Sequence, residues 1–135
     1  MTEPTSHTTM VAQFYTAMGA RHSDELCVNL IREEVKEVAE AAEHLLKELC
    51  DLYYVLEGAK LHGVDIAAHD TQTAVNVLRI FSNYVTPFQA VIDEAFARVH
   101  ASNMSKLVAG KPLFREDGKL LKGPDYKLPN MGDLI

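Results

Sequence analysis

A chain of 135 residues, 47% hydrophobic and 24% charged, with seven Gly and five Pro, has the composition of one globular domain leaning towards helix. Its formal charge of -6 excludes a general phosphate-backbone binder, which needs a basic face, so no nucleic-acid partner is expected. Cys27 and Cys50 are too few and too far apart for a disulfide scaffold or a zinc knuckle, and neither a leader-like opening nor a membrane-length apolar run is present. A cytoplasmic protein with reduced thiols and no membrane partner is the expectation.

The opening "EPTSHTTMVAQFYTAMG" has a Ser/Thr start, then Met10, Val11, Phe14 and Met18 at helical spacing and Gly19 as a stop, which predicts a first helix over 7–18. In "SDELCVNLIREEVKEV", Ser23 or Asp24 is the N-cap, and Leu26, Leu30, Ile31 and Val38 build an apolar face. This second helix runs into an acidic stretch that ends around Gly58 and "HGVD". "IAAHDTQTAVNVLRIFSNYV" predicts a further helix with Val75, Leu78 and Phe81 on one stripe. "TPFQAVIDEAFARVHASNMSKL" predicts another, capped by Thr86 with Pro87 at its first position, cored by Val91, Ala95, Phe96 and Val99, and ending near Leu107. Beyond Gly110 the helical period disappears, and "EDGK" and "GPDY" are turn signals, so residues 110–135 form a short hairpin and an extended tail. No internal repeat interrupts this order.

The acidic stretch, "LIREEVKEVAEAAEHLLKELCDLYYVLEG", raises a question of charge. On a helix Glu33, Glu34 and Glu37 share an arc, Glu48 and Asp51 repeat the i+3 relation, and like charges so placed repel by a few tenths of a kcal/mol each. Glu43 has Lys47 at i+4 and Glu33 has Lys36 at i+3, as on a solvated face. Glu34, Glu37 and Glu48 have no Lys or Arg three or four residues away in either direction. A divalent cation such as Mg²⁺ would neutralise them, since it takes carboxylate oxygens and keeps waters for substrate phosphates. On one continuous helix Glu37 and Glu48 stand roughly 16 Å apart, too far for one ion. An antiparallel hairpin turning between Ala42 and Glu43 would bring Glu37 level with Glu48 and Glu34 level with Asp51, as in carboxylate bundles. Against that turn, "EVAEAAEHLL" has no Gly, Pro, Asn or Ser to break the helix. A continuous helix would complete the site through a partner chain.

"EEVKE" at 33–37 followed by "ELCD" at 48–51 resembles the EExxE and ExxD motifs of the all-alpha nucleoside triphosphate pyrophosphohydrolases, the MazG-like and phosphoribosyl-ATP pyrophosphohydrolase-like superfamily. "MVAQFYTAMG", "ELCVNLIREE", "EAFARVHASNMSKL" and "FREDGKLLKGPDYKLPNM" extend the resemblance over most of the chain, except about 67–86, which looks like an insertion. The short spacing between the two acidic motifs departs from the family pattern. The resemblance implies an all-α fold: a bundle of about four to five helices in one domain over 1–135, with an antiparallel metal-binding helix pair in a tight homodimer or homotetramer. It implies Glu34, Glu37, Glu48 and Asp51 as Mg²⁺ ligands, with Mn²⁺ as a substitute, and Glu33 as a further ligand or, with Glu37, a catalytic carboxylate. Asn103 and Lys106 of "SNMSK", with Lys122 and Tyr126 in the tail, would contact a nucleotide substrate.

The activity implied is attack of water between the alpha and beta phosphates of a nucleoside triphosphate, releasing a monophosphate and pyrophosphate, for nucleotide-pool control. Phosphoribosyl-ATP hydrolysis in histidine synthesis is the alternative within the enzyme class. Outside it stands a non-catalytic helical module whose acidic face binds a basic partner or Ca²⁺. The six His show no ligand spacing, and His100 is assigned a structural role; of Tyr53 and Tyr54, one packs in the core and the other approaches a base.

Overall fold

A computed structural model describes residues 6–135. Among them every regular element is helical: α1 (His7–Met18), α2 (Asp24–Leu61), α3 (Ile66–His69), α4 (Thr71–Tyr84) and α5 (Ile92–Met104), with short 3-10 turns at Thr86–Phe88 and Gly132–Leu134. The all-α class that the resemblance implies holds, and the five helices are consistent with a helical bundle. Contacts divide the chain into two compact units, one ending at Glu37 and the other Val38–Ile135.

In the first unit α1 begins where Ser6 accepts from the Thr9 amide, and it ends at Gly19 in the left-handed region at φ 60°. There the Gly19 and Ala20 amides close back on the Thr16 and Tyr15 carbonyls, a double closure that needs positive φ and so a residue without Cβ. The Ser23 hydroxyl then takes the Leu26 amide at 3.1 Å, which starts α2 as the sequence predicted. No residue of α1 is buried.

The acidic segment does not turn. α2 is continuous through Ala42 and Glu43, so of the two courses open to this stretch the helix is taken and not the hairpin, and no metal-binding helix pair is made within it. The alanine-rich sequence explains the outcome, since nothing in it interrupts the hydrogen-bond ladder. Gly58 is also passed over, at the roughly 1 kcal/mol that a helical glycine costs. The stop comes at Gly63, at φ 67°, where the Gly63 and Val64 amides close on Lys60 and Ala59.

The second unit holds a core of Leu46, Cys50, Ala95, Val99 and Met131, with Tyr54, Phe88, Val91, Ile92, Phe96 and Leu134 packed against it. α2 and α5 thus meet through the residues the periodicity assigned to α5, and the tail closes the core through Met131. The segment 66–84 is two helices, because Asp70 leaves the helical region and caps α4 through the Thr73 amide. The inward phase of α4 also differs from the predicted stripe: Val75 and Leu78 are exposed, whereas Phe81 meets Tyr53 edge-on at 4.4 Å. α5 is shorter than predicted, since Thr86–Phe88 is a separate 3-10 turn with Pro87 in its first positions. The tail has the predicted hairpin, with Phe114 bridging Leu120 around "REDGK".

Candidate active site

Within the second unit α2, α5 and the tail enclose a cleft of about 930 Å³. α2 contributes Lys47, Asp51 and Tyr54, α5 contributes Asn103, the segment after it Lys106, and the tail Lys119, Lys122 and Tyr126. Five residues singled out from sequence, Asp51, Asn103, Lys106, Lys122 and Tyr126, therefore line one cavity.

The tail stays against α5 because its backbone is tied down. Ser102, 6% exposed, donates from Oγ to the Lys127 carbonyl at 2.6 Å, and the Lys127 amide donates to Ser105 Oγ at 2.9 Å. Arg98 holds the far end through the Asn130 carbonyl at 2.8 Å and a two-pronged pair with Asp133, which keeps the Asp133 carboxyl below the usual range. Gly123 permits the close approach beside Lys106: a Cβ there would stand 2.4 Å from Val108 Cγ2 and 3.0 Å from the Lys106 carbonyl oxygen. That approach brings Lys122 to the cleft, where its ammonium lies 4.8 Å from the Tyr126 ring centroid.

Lys47 is where the sequence reading of charge is corrected. It does not pair with Glu43; its Nζ donates to Asp51 Oδ2 at 2.8 Å and reaches Glu48 Oε1 at 3.5 Å. Glu43 instead accepts the Met131 amide at 3.1 Å and so belongs to the core closure. Glu48 has two neighbours that a search at i+3 and i+4 for Lys and Arg passes over, Lys47 one residue away and His44 Nε2 at 3.9 Å. The hydrogen bond that Lys47 donates to Asp51 raises the Lys47 pKa above the ordinary lysine value, with burial opposing and Glu48 reinforcing it.

Glu33, Glu34 and Glu37 are exposed on α2 in the first unit. Among the described residues no three His, Cys, Asp or Glu side chains gather into a group able to hold a metal. The donor chemistry nevertheless suits Mg²⁺, because every candidate offers carboxylate oxygens, the ligands hard divalent cations take.

Tyr54 stacks on Phe96 with ring centroids 5.5 Å apart, its hydroxyl lies 2.8 Å from His100 Nδ1, and it also lines a second, more open recess with Glu57, Lys60 and Leu61. His100 is thereby held against Tyr54, which is itself a wall of the cleft. Cys27 and Cys50 are free thiols, and burial pushes Cys50 up to about 11, which leaves it an inert core residue. Lys47 is a cleft residue that the sequence reading missed. The signal for Lys47 was present, since Asp51 stands at i+4 just as Glu43 stands at i-4.

An all-helical chain with paired acidic motifs and a lysine-rich cleft has the features of an enzyme that handles polyphosphates. Residues 1–70, about half of the chain, match the family model described as PRA-PH, phosphoribosyl-ATP pyrophosphohydrolase. The chain belongs to that family, within the MazG-like all-alpha NTP pyrophosphohydrolase superfamily, and is a pyrophosphohydrolase, a hydrolase acting on acid anhydrides. The matched stretch contains both acidic motifs, whereas Asn103, Lys106, Lys122 and Tyr126 lie beyond it. No curated protein and no solved structure matches the chain. Among the described residues no helix is long and apolar enough to cross a membrane.

Proposed function

We propose that the protein is a Mg²⁺-dependent nucleoside triphosphate pyrophosphohydrolase that cleaves between the alpha and beta phosphates and controls a nucleotide pool in the cytoplasm. The observation that carries this reading is the cleft in which Asp51, of the second acidic motif, shares walls with Asn103, Lys106, Lys122 and Tyr126. Glu34, Glu37, Glu48 and Asp51 would hold the ion, for which Mn²⁺ could substitute. The chemistry it supplies is neutralisation of polyphosphate charge and activation of a bound water. Glu33 and Glu37 would orient the attacking water and take its proton as its oxygen bonds to the alpha phosphorus, and the anhydride electrons would leave with pyrophosphate. Lys106 and Lys122 hold phosphoryl oxygens, Asn103 bonds the sugar or a phosphate, and Tyr126 lies against the nucleoside.

A second copy of the chain supplies the antiparallel helix that α2 does not make by folding back. Exposed apolar residues on α1 and on α2 before Glu37, Phe14, Met18, Ile31 and Val35 among them, support a homodimer or dimer of dimers. The charge balance and free thiols support the cytoplasmic reading. The alternative reading, hydrolysis of phosphoribosyl-ATP in histidine synthesis, is supported by the description of the matched family.

The test is pyrophosphate release from a panel of canonical and modified NTPs and dNTPs plus phosphoribosyl-ATP, with Mg²⁺ and with EDTA. Release from a triphosphate that EDTA arrests is the expected result. Release from phosphoribosyl-ATP alone would replace the pool-control reading, and release undiminished by EDTA would remove the metal from it.

A further inference from the structure

Lys47 lines the cleft, and neither acidic motif nor the "SNMSK" segment assigns it a task. It stands immediately before Glu48, in a protein of net charge -6, yet the cleft it lines also holds Lys106, Lys119 and Lys122 against the single carboxylate of Asp51. The cleft is therefore an electropositive pocket in an acidic molecule, the local condition for holding a multiply charged anion. An i,i+4 Lys–Asp pair on a solvated helix contributes a few tenths of a kcal/mol and needs no cover. The Lys47 side chain, however, is only 25% exposed, against 38% for Asp51 and 52% for Glu48. An ammonium has three donors. One is committed to Asp51 at 2.8 Å and a second is stretched to Glu48 at 3.5 Å, which leaves the third for the cavity.

We propose that Lys47 is a further substrate-contacting residue, which donates to phosphoryl oxygens of the pyrophosphate moiety while Asp51 fixes its ammonium at the cleft wall. The inference deepens the function proposed above and rests on it for the identity of the substrate. Its chemical content is narrower: the cleft binds a pyrophosphate group, and Lys47 is one of the cations that bind it. Because the group departs with the electrons of the broken anhydride bond, a fixed positive charge beside it also stabilises the charge that develops there.

The experiment is calorimetric titration of inorganic pyrophosphate into the full-length protein in EDTA at low salt, for the wild type, Lys47→Met and Lys47→Arg. Lys47→Met is expected to weaken binding about tenfold or more, the scale of one lost charge-assisted hydrogen bond, while Lys47→Arg stays close to wild type. In parallel, labelling of Lys47 in the wild type by an amine-reactive reagent is expected to fall as pyrophosphate saturates, a readout that does not depend on any variant folding. Wild-type binding retained by Lys47→Met, or Lys47 labelling unchanged at saturation, overturns the proposal, as does a wild type that binds no pyrophosphate. The two readings fail separately. Nucleotide turnover by a wild type whose pyrophosphate affinity ignores Lys47 leaves the activity standing and removes this residue. Loss of pyrophosphate binding in Lys47→Met, with no turnover of any nucleotide in the panel, leaves the anion site and removes the activity.

Discussion

In the unit that ends at Glu37, Phe14, Met18, Ile31 and Val35 are 58%, 65%, 63% and 63% exposed; in Val38–Ile135, Leu46, Val99 and Met131 are at most 1% exposed. The two units also divide the functional candidates. Glu33, Glu34 and Glu37 sit where none of the described residues is buried, and the lysine-lined cleft sits on a core. Helices draw most of their stability from packing an apolar face, so the second unit holds its cleft with its own interior, while the first presents faces that want a covering surface. Under the proposed assembly a second copy provides that cover, and forming the oligomer and completing the carboxylate site become one event.

The largest effect expected from breaking this contrast is chemical. Glu37→Gln removes an exposed carboxylate that no part of the core depends on, so pyrophosphate release should fall by about 10²–10⁴-fold while the circular dichroism spectrum stays unchanged. A variant with full activity would take Glu37 out of the site. Next comes the core: Leu46→Ala should lower the unfolding free energy by about 2–5 kcal/mol in urea titrations. The matching change in the other unit, Ile31→Glu, should leave dilute protein within about 0.5 kcal/mol of wild type, yet reduce the mass seen by light scattering at high concentration. An unchanged mass would contradict assembly through that face.

Gly123→Ala sharpens the comparison from the side of the cleft, because the new methyl meets Val108 and the Lys106 carbonyl. A cost of about 1–3 kcal/mol is expected, together with a raised KM, since Lys106 and Lys122 flank the strained contact. Smallest is the acid response of the tail. Arg98 lowers the folded-state pKa of Asp133, so this pair stabilises the fold above the unfolded aspartate value, and the contribution is lost as pH falls through the folded value. Amides near Asn130 and Asp133 should therefore exchange faster on acidification below about pH 4, the ordinary aspartate range, and in Arg98→Ala that acid step should disappear.

Helix α1 was legible because its apolar spacing and its caps agree, α5 because of its apolar spacing alone, its predicted cap lying in the 3-10 turn before it, and the acidic motifs because EExxE and ExxD are local patterns. The α4 stripe was misjudged because Val75 and Leu78 have a plausible helical period whose phase is set by Tyr53 packing on Phe81, a contact between residues far apart in sequence. The partner of Lys47 was misjudged for a similar reason. Glu43 and Asp51 are equivalent on a helical wheel, and the Met131 amide, 88 residues from Glu43, decides between them by occupying Glu43. The hairpin in α2 was an idea about ligand geometry, while the alanines around its supposed turn pointed correctly to continuity.

Met131 is fully buried against Leu46 and Cys50, and its amide is held by Glu43, so the core cannot close until residue 131 has been synthesised. At the usual pace of translation roughly 4–17 s separate the emergence of Leu46 from that of Met131. During that interval the nascent chain carries a long amphipathic helix with its interior face open, and the protein is committed to finishing its fold after most of it has already been made.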